Sequence, residues 1–208
     1  MVKRLVILAL AVGVATLSFS VLSPARSHNK GRGHAVARLK NVDGDLVAVV
    51  RLWQRQGEVF GRARAWDIEP AGEFHGFHVH ATGECDPESV DPATNDVVPF
   101  LSAGGHFNPE ETPHGEHAGD FPVLLATDDG TAQATFMTDR FELRELFDED
   151  GSAVIIHAER DNYANIPATT TAGDERYHSH LEGVFGPDSQ TLATGDAGSR
   201  FACGVVRH

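Results

Sequence analysis

A chain of 208 residues with a formal net charge of −13 is long enough to bury one sizeable core, and its charge argues against nucleic acid and anionic membranes as partners. It has only two cysteines, Cys85 and Cys203. Residues 1–27 read as an export leader: Lys3 and Arg4 precede an apolar stretch from Leu5 to Leu22, and Ala25-Arg26-Ser27 offers a small-x-small cleavage site. That stretch of 18 residues is borderline for spanning a bilayer, so an uncleaved anchor is the alternative. Losing Lys3, Arg4 and Arg26 with the leader takes the net charge from −13 to −16. Residues 28–34 are expected to form a flexible tail, and one domain follows over 35–208.

Within that domain, short runs at 35–39, 46–54, 59–66, 73–80, 123–126, 132–137, 153–157 and 201–206 predict strands. Asp43-Gly44 between the first two is a hairpin signal, and 141–147 reads as a short helical turn. With no long helical periodicity, these eight runs indicate an all-β fold, a sandwich or flattened eight-stranded barrel.

The chemistry lies in the histidines. Residues two apart on a strand share a face, so His78 and His80 can offer two imidazoles to one ion without bending the backbone. His75, three residues before His78, falls on the opposite face and is expected to be structural, satisfied by backbone groups. Downstream, His106, His114, His117 and Asp120 place three imidazoles and a carboxylate within 15 residues, a closed four-ligand set of the kind that holds zinc. An imidazole has two nitrogens, so His106 can belong to two sites at once. A second His-x-His, His178 and His180, lies in a polar stretch, and a solvent-exposed loop is expected there. For the two cysteines, an even count in an exported protein favours a disulfide, and closing a 118-residue loop would contribute about 5 kcal/mol in the chain-entropy treatment. A redox-sensing thiol pair is the alternative.

The runs HGFHVH (75–80), GGHFNP (104–109), HGEHAGD (114–120) and GDAGSRFACGV (195–205) resemble the copper,zinc superoxide dismutases of the exported bacterial type. The resemblance implies a Greek-key barrel with two long loops around one copper and one zinc per subunit. It implies copper on His78, His80, His106 and His157, and zinc on His106, His114, His117 and Asp120. It further implies that Asp161 accepts hydrogen bonds from His78 and His114, that Arg200 docks the anion, that His106 serves catalysis with it, and that Cys85 and Cys203 are bonded. The implied activity is dismutation of superoxide to dioxygen and hydrogen peroxide; a non-enzymatic copper-binding or delivery module on the same fold is the competing reading. The expected location is periplasmic, cell-surface or secreted, with no strong membrane partner unless the leader is retained. Homodimer pairing is left open, because the segments between Cys85 and His106 and between His157 and Gly195 are long. A copper-capturing role for His28 and His34 competes with the plain reading of residues 28–34 as an untied terminus.

Overall fold

The computed structural model describes residues 33–208; the expected leader, His28 and the rest of the tail up to residue 32 lie outside the described residues. The tail's last residue, His34, opens a strand and pairs with Trp53.

Eleven strands and one short α-helix are present among the described residues: β1 His34–Lys40, β2 Leu46–Arg55, β3 Glu58–Ala65, β4 Phe74–His75, β5 Phe77–His80, β6 Leu124–Leu125, β7 Ala132–Thr138, β8 Ala153–His157, β9 His178–Ser179, β10 Val184–Phe185, α1 Ser189–Thr194 and β11 Arg200–Arg207. Two 3-10 turns join them, Leu101–Ala103 and Leu143–Phe147, the second at the expected helical turn. Seven form one antiparallel sheet in the order β5-β8-β11-β1-β2-β3-β7. Period-two burial drives it. On β1 the residues Ala35, Ala37 and Leu39 are buried while His34, Arg38 and Lys40 are exposed, as a strand with one face on a core requires.

The expected single strand over 73–80 is cut into β4 and β5 at Gly76. There the backbone leaves its neighbour: the Gly76 N–H donates to the Glu159 carbonyl and its own carbonyl accepts from His157 N–H. A Cβ at Gly76 would meet Ala197 Cβ at 2.6 Å, so only glycine fits under that loop. β4 then pairs with β6, and β6 lies against β7, so this small pair links the two ends of the curled sheet. The eight expected runs are all strands, but closure is by a separate two-stranded pair rather than one continuous eight-stranded sheet.

The core sits on the inner face. Phe77, Phe121 and Phe136 pack as tilted rings with centroid separations of 5.2 and 4.4 Å, in one cluster with Leu39, Val50, Leu52 and Ile156. Each such side chain contributes on the order of 1.5–3 kcal/mol by leaving water. The alternate positions of β5 and β8 face the other way, where Ala153 and Ile155 form a second, smaller core with Phe100, Ala103 and Cys203. The loops over 81–123 and 158–199 cover that outer side. Cys85 and Cys203 form a disulfide with Cα atoms 5.6 Å apart, fastening the first loop to β11.

Candidate metal centre

His78 and His80 project from the outer side of β5 and His157 from the outer end of β8, because Phe77, Val79, Val154 and Ile156 take the inward positions. The covering loop is laced to the same strand: His80 bridges to His106 and His78 to Asp120. These histidines are buried or nearly so.

Second partners decide which nitrogen each ring leaves bare. His80 Nδ1 is 2.9 Å from the Gly104 carbonyl and His157 Nδ1 is 3.2 Å from the Gly198 carbonyl, so each donates there and keeps Nε2 free. Those two Nε2 atoms are 3.3 Å apart. His78 and His114 are reversed: each donates Nε2–H to one oxygen of Asp161 at 2.8 Å. Their Nδ1 atoms are buried with no hydrogen-bond partner. Two bare, buried nitrogens aimed into one small space call for an electrophile.

The donor atoms of His78, His80, His106 and His157 lie within 4.8 Å of one another, and so do those of His78, His106, His114 and Asp120. His106 is common to both. The second group has His78 where the sequence reading has His117. His117 is nonetheless close, with Nδ1 3.3 Å from His106 Nδ1 and 3.4 Å from Asp120 Oδ1. Asp120 Oδ1 also lies 3.1 Å from His106 Nδ1 and 3.3 Å from His114 Nδ1. Bonds of the length zinc makes to nitrogen and oxygen imply tetrahedral edges of about 3.3 Å. The separations of Asp120 from His106, His114 and His117, and of His117 from His106, match such edges, and the all-imidazole set has the donors that suit copper.

Electrostatics agree with ionised carboxylates and with neutral rings at His78, His80, His106 and His157, while His114 goes the other way. Burial lowers His80 and His157 well below 6.5, and burial, against the pull of Asp120, lowers His106 to about 3. Burial also lowers His78, although Asp161 opposes it. At His114 burial is outweighed by Asp120 and Asp161, which raise it to about 9. Burial would raise Asp120 and Asp161, but the facing histidines hold both below the ordinary carboxylate value.

Arg200 opens β11 opposite His157. Its guanidinium donates to the Phe100 carbonyl and, at 2.6 Å, to the Gly104 carbonyl that also accepts from His80. The arginine is thereby fixed one shared acceptor away from a histidine of the first set, half-buried, with burial lowering its pKa. His75 is fully buried between the His157 and Pro70 carbonyls, at 2.8 and 3.0 Å, as expected of a structural histidine.

Sequence reasoning missed three supports. Arg140 Nη1 reaches 3.0 Å from the carbonyls of both Gly115 and His117, clamping the ligand loop from outside. Tyr163 lies parallel to the His114 ring at 6.3 Å, and its hydroxyl accepts from Val123 N–H at 2.8 Å. Gly195, inside a recognised motif but without a role there, has φ 60°, and a Cβ on it would collide with Asp161 and His114. Only that glycine had a signal, its place in GDAG. At the second His-x-His the expected solvent-exposed loop contains a small hairpin of β9 and β10, with the His178 and His180 rings stacked at 5.0 Å; both are exposed, as expected. Two residues of pairing and the His178 to Phe185 contact suffice to order it.

A family model described as copper/zinc superoxide dismutase matches residues 46–206. Among curated relatives, "Superoxide dismutase [Cu-Zn]" of Mycolicibacterium paratuberculosis is 47% identical over 135 residues, covering 64% of this chain and 56% of that protein. The protein of that name from Photobacterium leiognathi is 30% identical over 200 residues, covering 92% and 97%. The chain thus spans only about half the length of its mycobacterial relatives. Among solved structures, the Cu/Zn superoxide dismutase from Brucella abortus aligns with a TM-score of 0.59 at 25% identity, over 84% of this chain and all of that one. From a sheet wrapped by two loops, a histidine common to two donor sets and a match over residues 46–206, it follows that the chain belongs to the copper/zinc superoxide dismutase family.

Proposed function

We propose that the protein dismutates superoxide, converting two superoxide anions and two protons to dioxygen and hydrogen peroxide. Copper would be held by His78 Nδ1, His80 Nε2, His157 Nε2 and His106, and zinc by His106, His114, His117 and Asp120. Copper supplies the one-electron change that takes an electron from one superoxide and returns it to the next, while zinc, which has no redox chemistry, anchors His106. The observation that carries this reading is the pair of bare, buried nitrogens on His78 and His114, one in each set, both oriented by Asp161.

The chain's own groups have definite tasks. Arg200, held by two backbone carbonyls, presents fixed positive charge that attracts and orients a small anion beside the His80 edge of the site. His106 is fixed through Nδ1 toward Asp120, which leaves Nε2 as the atom able to hold one of the two protons peroxide requires. Asp161 keeps His78 and His114 in the tautomer that leaves Nδ1 bare.

The rest of the organisation is proposed alongside: a leader over 1–27 that exports the protein to the periplasm, cell surface or medium, a tail that ends where His34 opens β1, and the enzymatic domain from there to 208. The disulfide supports an oxidising compartment. The test is metal content and cyanide-sensitive superoxide removal by the purified protein. One copper and one zinc per chain with activity is the expected result. Arg200→Ala should retain both metals and lose activity by about tenfold or more. Full copper without activity would instead favour a copper-binding module.

A further inference from the structure

The net charge of −13 conceals a strongly basic face. β1, β2, β3, β7 and β11 together hold one of the chain's 30 carboxylates, Glu58. Their outward positions instead carry Arg38, Lys40, Arg51, Arg62, Arg64 and Arg207, all exposed. Register sets them side by side. One row across the sheet reads Arg207, Val36, Arg51, Arg62 and Thr135, and the next has Arg38, Val49, Arg64 and Gln133. None of the six makes an ion pair; the arginine–carboxylate pairs among the described residues are Arg144 with Glu142 and Arg160 with Glu73. Arg51 stands directly opposite Arg62, a like-charge pairing that destabilises a sheet. Fold stability gives no reason for it.

An apolar row borders these cations. His34, Trp53, Phe60 and Met137 lie next to one another across β1, β2, β3 and β7, with the Trp53 and Phe60 rings stacked at 5.9 Å and Met137 57% exposed. At the other edge, Arg38, Lys40 and Arg207 line a cleft of about 530 Å³ whose floor includes the Cys85–Cys203 bridge. A dissolved polyanion would use the cations but not the aromatic row. A phospholipid surface uses both, phosphates meeting the arginines while aromatic rings enter the headgroup layer. Where the leader is retained, its apolar stretch Leu5–Leu22 ends 12 positions before His34, the residue that begins this row. Fully extended, that connection reaches roughly 40 Å.

We propose that the outer face of β11, β1, β2 and β3 is a docking surface for an anionic phospholipid bilayer. It departs from the expectation drawn from net charge, because beyond a Debye length of about 8–10 Å the carboxylates elsewhere are screened and the local field decides.

The test is sedimentation of the full chain, expressed with its own leader and recovered as exported and metal-loaded, with vesicles of phosphatidylglycerol and phosphatidylcholine or of phosphatidylcholine alone. Binding to the anionic vesicles only, abolished by high salt, is expected. Arg51→Gln/Arg62→Gln/Arg64→Gln should weaken it on the order of 100-fold, at about tenfold or less per cation. Lys40→Gln/Arg207→Gln should weaken it on the order of tenfold, and Arg144→Gln/Arg160→Gln/Arg176→Gln should leave it unchanged. Metal content and thermal midpoint check folding, and the first variant should unfold at or above the wild-type temperature because it removes the Arg51–Arg62 repulsion. No binding, equal binding to neutral vesicles, or wild-type binding by the first variant would overturn the proposal. So would salt-sensitive dimerisation without vesicles, which would assign the face to a second copy.

Discussion

Burial, more than pairing, sets the protonation of the imidazoles. His80, His157 and His106 sit below the ordinary 6.5, so in the metal-free protein they take up protons on unfolding, and their stabilisation is lost as pH falls from 6.5 toward about 3. His114 has the opposite sign: raised to about 9, it stabilises fully below 6.5 and stops doing so as pH rises through about 9. Calorimetry of the chelated protein should therefore show a thermal midpoint that peaks near pH 6.5 and falls on both sides. A flat profile from pH 5 to 9 would contradict the neutral, buried assignment. At Gly195 two demands coincide, a left-handed backbone and contact with Asp161 and His114. Gly195→Ala should destabilise the chain by about 1 kcal/mol or more and reduce zinc per chain more than copper, as atomic absorption would reveal. The donors were readable because strand parity and short spacings bring His78, His80, His106, His114, His117 and Asp120 together from nearby sequence. Arg140 was not, since its partners Gly115 and His117 are backbone atoms some two dozen positions away, and a backbone acceptor leaves no trace in residue type.

Among elements, the strands were legible and the coverings were not. Alternation such as Ala35, Ala37 and Leu39 against Arg38 and Lys40 announces a half-buried strand, whereas β9, β10 and α1 are too short for a period to register. α1 depends on a cap, Asp188 accepting from Thr191 N–H, and on Gly195 at its end. The Cys85–Cys203 bridge has more leverage than either. It pins the segment carrying Phe100 and Gly104, whose carbonyls hold Arg200. Cys85→Ser/Cys203→Ser should lower unfolding free energy by about 2–5 kcal/mol in urea titration. Activity per bound copper should fall too, because the arginine loses the backbone that aims it. Unchanged activity per copper would separate the bridge from the docking arginine.

Across the whole molecule, a single total misleads where a distribution informs. Thirteen excess negative charges and a cationic sheet face coexist because strands alternate and loops do not, so carboxylates collect in turns while arginines line one side of β1, β2 and β3. Composition recorded the first fact and hid the second. A comparable economy joins the two donor sets. Asp161 spends one oxygen on His78 and the other on His114, 2.8 Å each, and both rings depend on it for their tautomer. Asn at 161 keeps the shape but exchanges one acceptor for a donor, so one of the two rings must turn its proton inward. One carboxylate therefore readies both sites before either cation arrives, and a change to it is felt at both. Calorimetric titration should show Asp161→Asn weakening zinc and copper binding together, by about tenfold or more each, and loss at one site alone would contradict the shared role.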